Sequence, residues 1–291
     1  MKMIDNELLS KYTSLRVGGP ARRLLVPESE EELISAYKNA IRSGKALAIL
    51  GRGSNTIFPD EGYDGTVILL TKACRTLKLL ESKGRLWRRS SQVYAGASIT
   101  LRNLIDFCIK NRLAAPTYLY SVPGNIGGAI YMNAGLGKGK GCCISESLLR
   151  VKICDGGRVR WIEYEECKFA FRKSVFSDES WLILGAEFEY DFSFRWKSKR
   201  LVGKRIKQTR KTQDRSAHNA GSIFKTGFKW LPELKGYQIG NAKYSEKVPN
   251  WILNLGGAKS SDIIQLIEHA KKLHKKNGFP EPVLEIEIKT I

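Results

Sequence analysis

An α+β protein built in three consecutive sections is what this sequence predicts, on three observations. Near the start, an extended run, a punctuated amphipathic helix and a second extended run follow one another as a βαβ unit. A middle stretch alternates short β runs with one good helix. The last section closes on a strand whose residues alternate apolar and charged. A length of 291 residues leaves room for two or three domains and a sizeable core.

The elements can be justified in order. "ARRLLVP" is extended. Ser29 and Glu32 then form a capping box, Leu33, Ala36, Tyr37, Ala40 and Ile41 make an apolar stripe, and Gly44 closes the helix. "ALAIL" returns as a strand and feeds the turn "LGRGSN", residues 50 to 55. There Gly51 and Gly53 let the backbone approach a ligand, and Ser54 and Asn55 offer donors, the setting of a phosphate loop. A Rossmann dinucleotide fold requires a helix to begin at the glycines. The next stretch, "TIFPDEGYDGTVILL", reads as strand, so the motif points to a different phosphate loop.

From about 73 to 194, "SQVYAGASI", "LLRVKIC" and "WLILGAEFEYDF" read as strands and "TLRNLIDFCIKNRL" as a helix. Between them lies "SVPGNIGGAIYMNAG", residues 121 to 135, whose Gly124, Gly127, Gly128 and Gly135 beside Pro123 suit a backbone pressed against a ligand. The run "RWKSKRLVGKRIKQTRKTQDR", residues 195 to 215, fits an amphipathic helix with Leu201 and Ile206 as its apolar positions, lying over a domain junction. The final section holds "NAGSIFKTG", the strand-like "NWILNL", and a helix from Ser261 to Asn277 with Ile263, Leu266, Ile267, Ala270 and Leu273 as its buried stripe. In "VLEIEIKTI", period-two alternation puts Leu284, Ile286 and Ile288 on one face and Glu285, Glu287 and Lys289 on the other.

Composition narrows the function classes. Hydrophobic content of 42% with 27% charged residues is ordinary for a globular chain and argues against disorder. Lys and Arg number 49 against 29 acidic residues, a formal charge of +20. That imbalance raises nucleic-acid binding, but no nucleic-acid motif accompanies it. A solvated basic face, or a field that draws in anionic small molecules, is the simpler reading. No apolar run approaches the ~20 residues of a membrane span, and the N-terminus lacks an apolar signal core, so the protein is expected to be cytoplasmic, without membrane insertion. Six cysteines lack any C-x-x-C pair and only three histidines are present. They read as packing residues, with no metal site expected.

Taken together, "YTSLRVGGPA", "LGRGSN", "SVPGNIGGAIYMNAG", "FRKSVF" and "AGSIFK" resemble, in collinear order from Tyr12 to the C-terminus, the UDP-N-acetylenolpyruvoylglucosamine reductase family. The resemblance implies an FAD-binding fold of the p-cresol methylhydroxylase or vanillyl-alcohol-oxidase type, made of two α+β subdomains, about 1–72 and 73–194, plus an α+β substrate domain over 195–291. It implies FAD as cofactor, with Gly51, Arg52, Gly53, Ser54 and Asn55 on one side of its pyrophosphate and Gly124, Asn125, Gly127 and Gly128 on the other. NADPH is the implied co-substrate and a UDP-linked enolpyruvyl sugar the implied substrate, in peptidoglycan precursor synthesis.

Three catalytic residues carry over from the family's motifs. Ser222 in "AGSIFK" matches its proton-donating serine and Arg172 in "FRKSVF" its enolate-steadying arginine. Glu287 in "EIKTI" matches its terminal-strand glutamate, with Glu285 the alternative if the register is off by two. Three departures fall in the last section: Thr226 stands where the family has asparagine, "GFKWLPELKGYQIG" lacks a usual helix, and "SEKVPNW" keeps Asn250 but not a histidine. They leave open another FAD-dependent oxidoreductase of the same fold acting on a different nucleotide-linked or carboxylated alkene.

Overall fold

The computed structural model describes residues 1–84, 89–137 and 142–290; Ile291, the last residue of the terminal motif, lies outside them. The chain opens with β1 (Lys2–Leu8), β2 (Pro20–Val26), α1 (Glu30–Arg42), β3 (Ala46–Leu50), the short β4 (Thr56–Ile57) and β5 (Tyr63–Leu69). The sheet order is β1-β2-β5-β3, with β5 parallel to both of its neighbours. The two strands of the βαβ unit are thus separated by β5.

Helix α1 starts where its cap predicts, with the Ser29 hydroxyl accepting from Glu32 N at 3.2 Å. Only half of the capping box forms, because the Glu32 carboxylate accepts from Glu28 N at 2.9 Å instead. Leu33, Ala36, Tyr37 and Ala40 are buried, whereas Ile41, expected in the stripe, is exposed.

The middle elements are β6 (Leu77–Lys83), β7 (Ser90–Gly96), α2 (Leu101–Lys110), α3 (Ile126–Tyr131), β8 (Leu148–Asp155), β9 (Arg158–Glu163) and β10 (Leu182–Asp191). Their sheet runs β6-β7-β10-β8-β9 and is antiparallel at every pairing. Helix α2 begins at Thr100, whose hydroxyl accepts from Asn103 N at 3.1 Å, and buries Leu101, Leu104, Ile105 and Cys108. Leu33 and Tyr37 of α1 join those residues and the inner face of β7, β8 and β10 in one core. Burial of this apolar surface, at ~25 cal/mol per Å², is what fixes the first sheet against the second.

The remaining elements are α4 (Arg195–Thr212), β11 (Phe224–Thr226), β12 (Gln238–Ile239), β13 (Ala242–Tyr244), β14 (Ile252–Asn254), α5 (Ser260–Lys276), β15 (Val283–Leu284) and β16 (Glu287–Ile288). Strands β12, β13 and β14 form an antiparallel sheet under α5, which buries Ile263, Leu266, Ile267 and Ala270 as its periodicity predicts.

Helix α4 is correctly placed, but of its two expected inward positions only Ile206 is half-buried. Ser198 and Thr209 are buried with Val202 and Arg205 half-buried between them, at a spacing of four, three and four, while Leu201 is 44% exposed. The small hydroxyl residues let α4 lie close, with Thr209 Oγ1 donating to Ser121 Oγ at 3.0 Å.

The terminal run divides between two sheets: β15 pairs with β11, and β16 pairs in parallel with β4 near the start of the chain. Leu15, Val17 and Ile57 accordingly share a core with Ile223, Phe224 and Ile286. This closure brings the last glutamates to the glycine turn.

Candidate active site

A cleft of about 920 Å³ lies where these sections meet. One wall is the turn after β3. Gly53 has φ +59°, and a Cβ there would stand 2.1 Å from Tyr12 O, so only glycine lets the turn pack on the N-terminal loop. A Cβ at Gly51 would stand 2.6 Å from Asn125 Oδ1, which brings the second glycine segment against the first.

The side chains expected to greet a phosphate are occupied with backbone groups of neighbouring loops. The Ser54 hydroxyl donates to Pro123 O. Asn55 Nδ2 donates to Glu285 O at 3.0 Å. Asn125 caps α3, accepting from Gly128 N at 3.1 Å, and donates to Leu70 O at 3.0 Å. These residues build the loops. What the loops offer is backbone: among the described residues, no N–H of Gly51, Arg52, Gly53, Ser54 or Asn55 donates to another protein group, nor does that of Gly124 or Asn125. Backbone donors in folded chains are almost always paired, and consecutive free N–H groups along a concave turn suit an anion. Gly124 is open as well, since a Cβ there would meet nothing nearer than Leu101 Cδ1 at 3.8 Å. A pyrophosphate therefore fits this cradle, and FAD fits the cleft.

The second glycine segment contains α3, which sequence reasoning missed. Two glycines in its first turn depress helix propensity. They are there for approach: a Cβ on Gly127 would sit 3.2 Å from Ala97 Cβ, and Gly127 N donates to Ala97 O at 2.9 Å.

The opposite wall carries the reactive side chains. Ser222 follows Gly221, which has φ +76°, and is held by Asn250 from both ends of the next residues. Ile223 N donates to Asn250 O at 2.9 Å, Phe224 N to Asn250 Oδ1 at 3.0 Å, and Asn250 Nδ2 to Phe224 O at 2.7 Å. The asparagine kept in "SEKVPNW" is thus the clamp of the serine loop. The Ser222 hydroxyl itself makes no hydrogen bond to a described residue and faces the cleft. Ile223 O then accepts from Glu285 N at 2.8 Å, tying the serine loop to the terminal strand.

Arg172 stands in the left-handed region at φ +53°, a conformation that costs an L-residue about 1–2 kcal/mol. Its guanidinium is fixed on three sides: Nε donates to Glu285 Oε1 at 2.8 Å, Nη2 to Gly135 O at 2.7 Å and Nη1 to Asn133 O at 3.4 Å. Burial pushes the Glu285 carboxyl above the usual carboxylate range, outweighing the pull of Arg172. Glu287 lies two residues on, with Lys289 Nζ 2.8 Å from its carboxylate, and it adds to the burial that pushes the Tyr131 phenol up. Glu285, Glu287 and Lys289 share the strand face that alternation predicted, and that face lines the cleft. Both glutamates are therefore present at the site, and Glu285 is the one that touches Arg172.

Every residue singled out from the motifs lines this one cleft: Gly51, Arg52, Gly53, Ser54, Asn55, Gly124, Asn125, Gly127, Gly128, Arg172, Ser222 and Glu287, with Glu285 beside them. Sequence reasoning missed Ile41 and Ile49, exposed apolar residues at its far end, and Arg205, whose buried Nε has no hydrogen-bond partner among the described residues. Ile41 and Ile49 looked like ordinary core positions. Arg205 was hidden in a run where half of the residues are basic.

Residues 21–162 match the FAD binding domain family. With the two-sheet frame and the backbone cradle, this defines the protein as an FAD-dependent oxidoreductase. Residues 212–291 match the family described as UDP-N-acetylenolpyruvoylglucosamine reductase, C-terminal domain. The chain is 33% identical to the UDP-N-acetylenolpyruvoylglucosamine reductase of Fusobacterium nucleatum, over 94% of each chain. It is 31% identical to that of Bacillus subtilis, over 99% of this chain and 94% of the relative. The crystal structure of UDP-N-acetylenolpyruvylglucosamine reductase from Thermus caldophilus superposes with a TM-score of 0.78 at 26% identity, covering 99% of this chain and 98% of that one. The chain belongs to the UDP-N-acetylenolpyruvoylglucosamine reductase family.

Proposed function

We propose that this protein reduces the enolpyruvyl group of UDP-N-acetylglucosamine enolpyruvate to give UDP-N-acetylmuramate, in the cytoplasm, with NADPH as reductant, as a step of peptidoglycan precursor synthesis that serves cell shape and division. The observation that carries the reading is that Ser222, Arg172 and the terminal-strand glutamates line the same cleft as the two glycine loops. FAD, when bound, supplies the reducing equivalents, taken from NADPH and passed to the vinyl carbon distal to the ether.

The chain's own residues do the rest. The backbone N–H groups of residues 51–55 and 124–125 hold the pyrophosphate. Arg172 meets the substrate carboxylate and the negative charge that spreads into it as the vinyl group is reduced. A guanidinium held on Glu285 and two carbonyls needs no reorganisation at that moment. The Ser222 hydroxyl, free of partners among the described residues, gives its proton to the carbon beside the carboxylate. Glu285 orients Arg172, and Glu287, next to Tyr131 and Lys289, completes the polar wall. In this reading residues 1–194 form the FAD-binding domain, with subdomains of about 1–72 and 73–194, and residues 195–291 the substrate domain.

An anaerobic titration tests the reading. NADPH should bleach the flavin band of the purified protein, and the enolpyruvyl sugar nucleotide should restore it with one equivalent. A band that NADPH bleaches but the sugar nucleotide leaves bleached would refute the substrate assignment.

A further inference from the structure

The charge of this chain is concentrated on an element the reaction does not use. Helix α4 carries nine Lys and Arg in eighteen residues and no acidic residue. No ion pair among the described residues includes any of them. Arg205 turns to the cleft and Arg195 is bonded to Lys110 O, whereas Lys197, Arg200, Lys204, Lys207 and Lys211 are exposed along one side. Arg200 with Lys204 and Lys207 with Lys211 are like charges at i, i+4, an arrangement that destabilises a helix on its own. The N-terminal turn adds cations where the helix dipole already favours anions. A face kept only for solubility would mix signs.

At the N-terminal end of this face the helix also exposes large apolar side chains. Trp196 is 64% and Phe194 47% exposed, with their rings stacked at 6.4 Å. A row of cations about 21 Å long beside an exposed tryptophan is the composition of an interfacial helix. The inner face of α4 is packed, with Thr209 on Ser121 and the Arg195 guanidinium donating to Lys110 O at 3.1 Å. No nucleic-acid motif in the sequence accompanies α4, and exposed Trp196 and Phe194 beside the cations favour a lipid surface over a nucleic acid. The outer face of the helix is open to a flat anionic surface.

We propose that the outer face of α4 docks on an anionic lipid bilayer, its cations against the headgroups and Trp196 at the headgroup level. Each Lys or Arg held near such a surface strengthens binding about fivefold, and the attraction decays within a Debye length.

The test is co-sedimentation of the full-length flavoprotein with vesicles of phosphatidylcholine alone or with about 30 mol% phosphatidylglycerol. At about 0.1 M salt the parent should bind the anionic vesicles at least tenfold more tightly than the neutral ones, and about 0.5 M salt should release it. The variant Arg200→Gln, Lys204→Gln, Lys207→Gln, Lys211→Gln should lose about 10²–10³-fold in partitioning while keeping reductase activity. Trp196→Ser should abolish the vesicle-induced blue shift of tryptophan emission. Equal binding to both vesicle types, or an unchanged partition of the four-residue variant, would overturn the proposal. So would a duplex or single-stranded oligonucleotide that strips the protein from anionic vesicles at equal charge, which would assign the face to nucleic acid.

Discussion

Arg172 and Glu285 show how single residues make this site. The backbone of Arg172 is strained at φ +53°, and its guanidinium is spent on one carboxylate and two carbonyls that hold it still. Glu285 is buried enough that its carboxyl is pushed up despite the arginine beside it. The folded chain therefore keeps this proton to higher pH than the unfolded chain does, and stability falls as pH rises through the interval above the ordinary glutamate value of about 4.3. Glu285→Gln cannot ionise, so its melting temperature relative to the parent should rise as pH is taken from about 4 to about 8. Thermal melts across that range check it; a difference independent of pH would show that burial does not dominate at this carboxyl.

Motif reading found these residues, and it found the strand face that carries Glu285 and Glu287. It chose Glu287 and kept Glu285 as the alternative, because alternation places both on one side; the fold shows that Glu285 is the one that reaches Arg172. It also took Ser54 and Asn55 for ligand donors. Their side chains instead join loops 69 and 230 residues away in sequence, pairings that no local pattern contains.

At the scale of elements, the helices with strong periodicity and caps were legible almost to the residue: α1 from Ser29, α2 from Thr100, and α5 from its stripe. Elements held by remote partners were not. Helix α3 is six residues long and glycine-rich, and it exists because Asn125 caps it and Ala97 receives it. The inward side of α4 was misjudged in part because hydroxyl residues, not leucine, form the close contact.

The start of α5 makes the point in energetic terms. Its first backbone N–H groups are taken by Asp60, far back in the chain: Ser260 N donates to Oδ1 at 2.7 Å and Ser261 N to Oδ2 at 2.9 Å. Burial alone would raise the Asp60 carboxyl, but these bonds hold it below the usual range. Asp60→Ala should cost about 1–2 kcal/mol, as loss of an N-cap with a charge on the helix dipole does. Urea unfolding monitored by circular dichroism measures it. A change within error of zero would mean that α5 finds another cap.

Across the whole molecule, the site exists because the chain closes on itself. Strand β16 returns to β4, so the serine loop, the terminal glutamates and the first glycine turn meet, and N-terminal Leu15, Val17 and Ile57 enter the C-terminal core. The overall charge of +20 acts at this scale too. A positive field raises the encounter rate of anions in proportion to their charge. Reduction of the flavin by NADPH, with its additional phosphate, should be faster than by NADH at low salt, and the ratio should shrink as ionic strength rises past about 0.1 M. Stopped-flow rates with both nucleotides across a salt series check this; equal efficiency at low salt would contradict it.

The claim that a free serine hydroxyl at the cleft donates the proton is tested most directly by separating the two half-reactions of Ser222→Ala. Bleaching of the flavin by NADPH should proceed at the parent rate, while reoxidation by the enolpyruvyl sugar nucleotide slows by about 10²–10⁴-fold, the usual worth of a positioned general acid. Equal slowing of both half-reactions, or unimpaired reoxidation, would contradict the account.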